Sequence, residues 1–253
     1  MEQRSITKYG YIPDFGDFRD LPYVPPTELK VPKSADVFNP KNPILDQGQL
    51  GCCTGNGGAR ILRQEILKQG LTDFAPARLQ IYYDERVIEG TVKTDSGAQI
   101  RDCLKVLANS GAADEKLWPY VITKFKKKPT KAVYTSALKN KAIQYFRVDN
   151  TKIVDLKACL TEGYPIIIGF SVYSEFEDED AAKTGIVPMP TKSSKLVGGH
   201  CVVLEGFDDT KSVWILTNSW GENWGNKGRF TLPYAYLTNT NLATDFWTIR
   251  QAS

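Results

Sequence analysis

Apolar positions recur at helical spacing through the first half of the chain and alternate or run together through the second. Segment 45–67 opens with a polar turn (Asp46, Gln47, Gly48, Gln49), passes Gly51 and reaches adjacent Cys52 and Cys53. Ala59, Ile61, Leu62, Ile66 and Leu67 then fall near i, i+3, i+4 spacing, which predicts a helix. Leu79, Ile81, Tyr82 and Val87 predict a second helix over 75–88. A turn comes next at Thr94, Asp95, Ser96 and Gly97, with Asp95 or Ser96 placed to cap a third helix. That helix runs over 98–109 and is stopped by Gly111. Beyond 130 the period changes. Segment 142–148 alternates as a half-buried strand should, 150–163 holds a capped helix, and 165–173 and 199–207 are continuous apolar β runs. Segments 213–218, 229–232 and 245–250 read as further strands. The pattern predicts an α+β chain with a helical lobe followed by a β-rich one.

Three stretches lie outside this pattern. Residues 1–30 are rich in Tyr, Phe, Pro and Asp without any period, which fits an extended arm packed on another surface and is too aromatic for a disordered tail. The lysine cluster at 123–130, ended by Pro129, reads as a solvated crossing between lobes rather than a nucleic-acid footprint. The acidic stretch 175–180 lacks the Gly and terminal Glu spacing of a calcium loop and reads as a solvated loop. The expected division is an arm over 1–30, a mainly helical lobe over 31–125 and a β-rich lobe over 126–253.

Composition narrows the function classes. With 42% hydrophobic and 24% charged residues in 253, the chain has the balance of a soluble globular protein. A net charge of +3 favours neither nucleic acid nor a membrane surface, and no apolar run approaches the ~20 residues of a membrane span. The first residues carry no apolar h-region, so the chain as written reads as cytoplasmic; removal of a leader would instead place it outside the cell or in the periplasm. Five cysteines, an odd number, leave at least one outside any intramolecular bridge. With one histidine and no CxxC pair, a zinc site is not expected, nor is any other metal or cofactor.

Chemistry gathers at three places. A cysteine in the first turn of a helix meets unpaired backbone N–H groups and the positive end of the macrodipole. Both favour the nucleophilic thiolate, although an inert buried thiol is the common alternative. Any imidazole base must be His200. In a strand, Cys201 would face the core while His200 faces the other way, over small Gly198 and Gly199, where a substrate has room. In 217–225, Trp220 and Trp224 fit no core stripe. Asn218 is placed to accept from the far ring nitrogen of His200, with Trp220 excluding water beside that bond; an Asx turn with aromatic packing is the plain alternative. Groups on separate lobes converge in a cleft between them.

Together the Gln47-x5-Cys53 spacing, the Gly-Gly-His200 strand and the Asn218-Ser219-Trp220-Gly221-x2-Trp224-Gly225 block resemble the papain family of cysteine peptidases, in order and separation, from about residue 31 onward. Leu117-Trp118-Pro119-Tyr120 is similar to the family's exit from its third left-lobe helix. The resemblance implies a papain-like two-lobe fold: a helical left lobe, an antiparallel β-barrel-like right lobe and the active-site cleft between them. It implies Cys53 as nucleophile, His200 as its acid–base partner, Asn218 as orienter, and Gln47 with the Cys53 N–H as oxyanion donors. Trp220 and Trp224 would line the leaving-group side, and Ser96, Gly97 and Ala98, with Gly199, would meet the substrate. Departures are Leu50 in place of a disulfide cysteine, Cys52 in place of Ser and Thr54 in place of Trp. The missing bridges and short arm look like bacterial members, some of which carry a comparable arm against the cleft, so self-occlusion in a zymogen-like form is expected. Neighbours on a helix point about 100° apart, so only one of Cys52 and Cys53 can face His200, and the Gln47 spacing selects Cys53. The expected function is hydrolysis of peptides or proteins through a thiolate–imidazolium pair and a thioester acyl-enzyme. A cell-wall amidase or transamidase with the same chemistry, or a silent binding protein on this fold, are the alternatives; the double-Trp block favours the peptidase, and the filled polar positions disfavour the silent protein.

Overall fold

A computed structural model describes residues 9–253; the first eight residues of the expected arm lie outside the described residues. In chain order the elements begin with β1 (Tyr11–Ile12) and β2 (Ser34–Asp36), then α1 (Cys53–Lys68), α2 (Arg78–Ile88), β3 (Ala98–Gln99), α3 (Ile100–Asn109) and α4 (Lys131–Ala137). There follow β4 (Ala142–Arg147), α5 (Ile153–Thr161), β5 (Ile166–Tyr173), α6 (Glu179–Thr184), β6 (Leu196–Asp208), β7 (Val213–Thr217), β8 (Arg229–Pro233), α7 (Tyr234–Leu237) and β9 (Ala243–Ala252).

α1 is buried along almost its whole length because it lies between the other helices and the sheet. Ile61, Leu62 and Ile66 pack with Ile100, Leu104 and Leu107 of α3 and with Ile167, Val203 and Trp247 of the sheet. The sheet has seven strands in the order β4-β9-β5-β6-β7-β8, with β2 added on β6, all antiparallel. Alternation along β5 and β6 explains their apolar runs. Ile167, Cys201 and Val203 face α1, whereas Ile166, Ile168, Phe170, Val202 and Leu204 enter a second core with Phe176, Trp214 and Phe230. A strand covered on both faces reads as continuous apolar sequence.

A buried bidentate ion pair ties the lobes. Arg60 of α1 meets Glu205 of β6 at 2.8 and 3.1 Å and also donates to the carbonyls of Asn42 and Pro43. All five cysteines are free and buried. Among the described residues no helix is long and apolar enough to cross a membrane.

Some details differ from the sequence pattern. α4 follows the lysine cluster, and its Val133 and Ala137 pack with Leu50, Cys52, Leu79 and Tyr82 on the helical side. The acidic stretch runs into α6, where Glu179 and Asp180 sit in the first turn, at the positive end of the helix dipole. Asp95 does not cap α3; its carboxylate accepts from the Gly51 N–H at 2.9 Å and the Tyr82 hydroxyl at 2.5 Å. That contact anchors the turn before Cys52.

Candidate active site

Cys53 is the first residue of α1, directly after the non-helical Cys52. The two thiols diverge, as neighbours at a helix start must. Cys52 Sγ points into the helical lobe, 2.9 Å from Tyr120 Oη and 3.1 Å from Asn56 Nδ2. Cys53 packs toward the sheet among Tyr11, Ile167 and Cys201. Backbone N–H groups of Cys201, Gly10 and Thr54 are directed at its sulfur. Cys201 adjoins His200 on β6, so this contact carries the sulfur to the histidine strand.

His200 Nε2 lies 2.8 Å from Asn218 Oδ1. The same oxygen accepts from the Ser219 N–H at 2.8 Å. An amide oxygen only accepts, so Nε2 carries a proton and donates it to Asn218. Trp220 lies over the ring with centroids 5.1 Å apart and planes inclined 31°, and Phe176 and Phe170 pack around it.

Gln47 is fixed on every side. Its N–H donates to the Ser219 carbonyl at 2.8 Å, its Oε1 accepts from Ser219 Oγ at 2.6 Å, and its carbonyl accepts from Tyr120 Oη at 2.7 Å. Its Nε2 donates to the Leu50 carbonyl at 2.8 Å and carries a second hydrogen. The bridge between Asp46 and Trp220 stitches this turn to the Asn218 segment, and Arg78 holds it from below through the Asp46 carbonyl. Ser219 carries no sequence signal of its own within the Asn218 block, and its hydroxyl is what orients the Gln47 amide. Among the described residues, no group of three His, Cys, Asp or Glu is placed to hold a metal ion.

The arm lies in this seam. Gly10 passes over Cys53, its carbonyl accepting from the Ala98 N–H at 2.8 Å. β1 then pairs with β3 in parallel, Tyr11 opposite Ala98. Tyr9 meets the His200 ring edge-on at 5.7 Å and Trp220 at 6.0 Å. His200, expected to face out over its glycines, is therefore only 1% exposed. Burial pushes the Cys53 thiol up to about 12, against the N–H groups that favour the thiolate. Of the expected substrate-contacting residues, Gly97, Ala98, Gly199 and Trp220 all touch the arm. Ser96 turns away to bond Thr91 and the Gly97 carbonyl, and Trp224 braces Trp220 edge-on at 5.2 Å.

A thiol at a helix start packed on the strand that carries an amide-bonded imidazole has the parts of a two-lobe cysteine hydrolase. The comparisons narrow the class: residues 31–247 match the family profile described as papain family cysteine protease, and the chain belongs to that family. Xylellain, a cysteine protease from Xylella fastidiosa, is 40% identical and superposes with a TM-score of 0.93 over 99% of this chain and 98% of its own. An uncharacterized peptidase C1-like protein of Acanthamoeba polyphaga mimivirus is 41% identical over 83% of this chain and 70% of its own length. Mouse cathepsin K is 27% identical over 83% of this chain, which spans 62% of cathepsin K. The chain is thus a papain-like cysteine peptidase of α+β fold.

Proposed function

We propose that this peptidase works through Cys53, His200, Asn218 and Gln47, and that its own arm holds it latent. The observation that carries the reading is the path of Gly10 and Tyr11 between the Cys53 helix start and β3. With the arm displaced, Cys53 passes its proton to His200 Nδ1 and the thiolate attacks a peptide carbonyl carbon. The Cys53 N–H and the remaining Gln47 Nε2–H receive the oxyanion, each donor contributing about 3–4 kcal/mol in comparable sites. The C–N bond breaks as His200 returns the proton to the amine. Water then attacks the thioester, with His200 taking its proton, and the thiol is restored. Asn218 keeps the ring in register, and Trp220 shields their bond.

Polarity explains why the arm survives in place. His200 must reach the departing amine, so the C-terminal part of a substrate lies toward His200 and Trp220. In the arm that side is taken by Tyr9, which precedes Gly10. The arm therefore runs backwards, presenting an N–H to the sulfur and turning its carbonyl to Ala98.

The test compares alkylation and peptide-library hydrolysis across variants. Cys53→Ala is expected to abolish both, and Cys52→Ser to keep most activity. Loss of activity in Cys52→Ser with retention in Cys53→Ala overturns the assignment.

A further inference from the structure

A carboxyl that the mechanism does not use lies behind the nucleophile. Thr54, a departure from the family pattern, follows Cys53 in the first turn of α1, and its hydroxyl donates to Glu85 Oε2 of α2 at 2.8 Å. Glu85 and Thr54 are both fully buried. Glu85 Oε1 has no partner at ordinary hydrogen-bond length among the described residues. The Cys103 thiol of α3 faces it and itself reaches the Thr54 carbonyl at 3.5 Å. Gly58 lets α1 close on that thiol, since an added Cβ would meet Cys103 Sγ at 2.3 Å. The neighbouring cation gives no compensation: Arg86 directs its guanidinium to the carbonyls of Tyr82, Val92, Thr94 and Phe125. The other titratable groups turned toward Glu85 are the Cys53 thiol of α1, the Cys201 thiol of β6 and the Glu89 carboxyl one turn along α2.

From these contacts, and resting on the nucleophile proposed above, we infer that Glu85 is a positioning residue for the reaction: it stays neutral so that a negative charge can form on the Cys53 sulfur, and its own ionisation sets an alkaline limit on the thiolate. A carboxyl taken out of water with no cation beside it holds its proton. Burial, the leading cause, pushes Glu85 from an ordinary 4.5 up to about 8. Oε1 is the place for that proton, toward the Cys103 sulfur, while Oε2 accepts from Thr54. Two anions facing each other across the seam of α1 and α2 repel strongly in a buried site. An ionised Glu85 therefore opposes the Cys53 thiolate, as it opposes ionisation of Cys103 and Cys201. While Glu85 is neutral, the start of α1 favours the sulfur anion with no rival charge beneath it. Glu85 touches no substrate in this role and acts only through Cys53.

The test is the rate at which iodoacetamide alkylates Cys53, resolved from Cys52 by fragment masses, in the full native chain and in Glu85→Gln between pH 6 and 9.5. Glutamine keeps an oxygen for the Thr54 hydroxyl and cannot ionise. Dividing the variant's rate by the native rate cancels the reagent, the shielding by the arm and the thiol's own titration. The ratio is expected to stand near 1 at pH 6 and to rise through about pH 8, reaching ~10-fold at the alkaline end. A Glu85 that only held the fold together would change the rate by one factor at every pH. Thr54→Val takes a hydrogen bond away from the carboxylate and is expected to move the native chain's loss of thiolate to higher pH; it carries the test if Glu85→Gln does not fold. A ratio that stays flat across the range, or in that second case a Thr54→Val profile that coincides with the native one, overturns the inference and leaves Cys53 as nucleophile. Failure of the reagent to label Cys53 at any pH, in these chains and in Gly10→Ala, whose added methyl would meet the Gly51 carbonyl under the arm, overturns the nucleophile assignment and this inference with it.

Discussion

Gly10 is where the proposed latency turns on single atoms. A Cβ built on it would sit 1.7 Å from the Gly51 carbonyl oxygen, and one on Gly97 would sit 2.2 Å from the Gly10 oxygen. Both obstacles are backbone, with no flexible side chain to yield, so only glycine lets the arm settle over the helix start. Its settling removes water from Cys53, which is why the thiol stays neutral at a position whose N–H groups favour the anion. Gly10→Ala is therefore expected to lift the arm and lower the Cys53 pKa toward its ordinary range. Alkylation of Cys53 at pH 7.5 should rise by ~10-fold or more, since the rate follows the thiolate fraction and its exposure, and peptide hydrolysis should rise with it. Equal alkylation rates in the native and Gly10→Ala chains would show that something other than the arm shields the sulfur.

At the scale of elements, β1 is held by far more than its two residues of pairing with β3. Behind Tyr11, the carboxylates of Asp14, Asp20 and Asp245 share the guanidiniums of Arg101 and Arg147, one negative charge in excess. The Arg101 N–H and the Trp247 indole also face Asp14. Burial, then the Asp245 charge, push Asp14 from an ordinary 3.8 up to about 7, with Arg101 and Arg147 opposing. A carboxyl whose pKa is raised in the docked state keeps its proton there, so docking is strongest below about pH 4 and weakens as pH climbs to about 7, by up to tenfold per unit. The ratio of Cys53 alkylation in the native chain to that in Asp14→Asn cancels the thiol's own titration and is expected to climb between pH 5 and 7.5; a flat ratio would remove Asp14 from the arm's hold. None of this network is legible in the sequence, because Tyr11 and Asp245 lie 234 positions apart and two-residue strands have no period. What carries a period is legible. α1 over its 16 residues and the apolar runs of β5 and β6 are readable from spacing alone, and the Asn218 block is where the structure bonds both His200, through Asn218, and Gln47, through Ser219. α4 and α6 span 7 and 6 residues, too few turns to show an apolar stripe. The exposure expected of His200 fails because Tyr9, a residue with no pattern around it, covers the ring.

For the molecule as a whole, the proposed mechanism requires α1 and β6 to be held at one depth, since the first begins at Cys53 and the second carries His200. The Arg60–Glu205 pair is a buried ionic tie between these two elements, with side chains 3% and 0% exposed. Glu205 also accepts from the Thr217 hydroxyl, one residue before Asn218. A buried pair like this adds little over an apolar replacement of the same volume, but breaking it strands a charge at a cost of about 3–5 kcal/mol. Arg60→Ala is accordingly expected to lower unfolding stability by that amount and to reduce peptide hydrolysis in the folded fraction, because α1 loses its register on the sheet. The double variant Arg60→Met with Glu205→Leu should recover most of the stability, since no charge is stranded. Hydrolysis in the double variant then separates two roles. Recovery together with stability makes the pair a charge-balance device, while stability without activity makes its bidentate geometry the feature that sets the spacing of sulfur and imidazole. Urea melts with hydrolysis rates on the same samples decide between them, and an Arg60→Ala chain as stable as the native one would show that the lobes are held by their apolar seam alone.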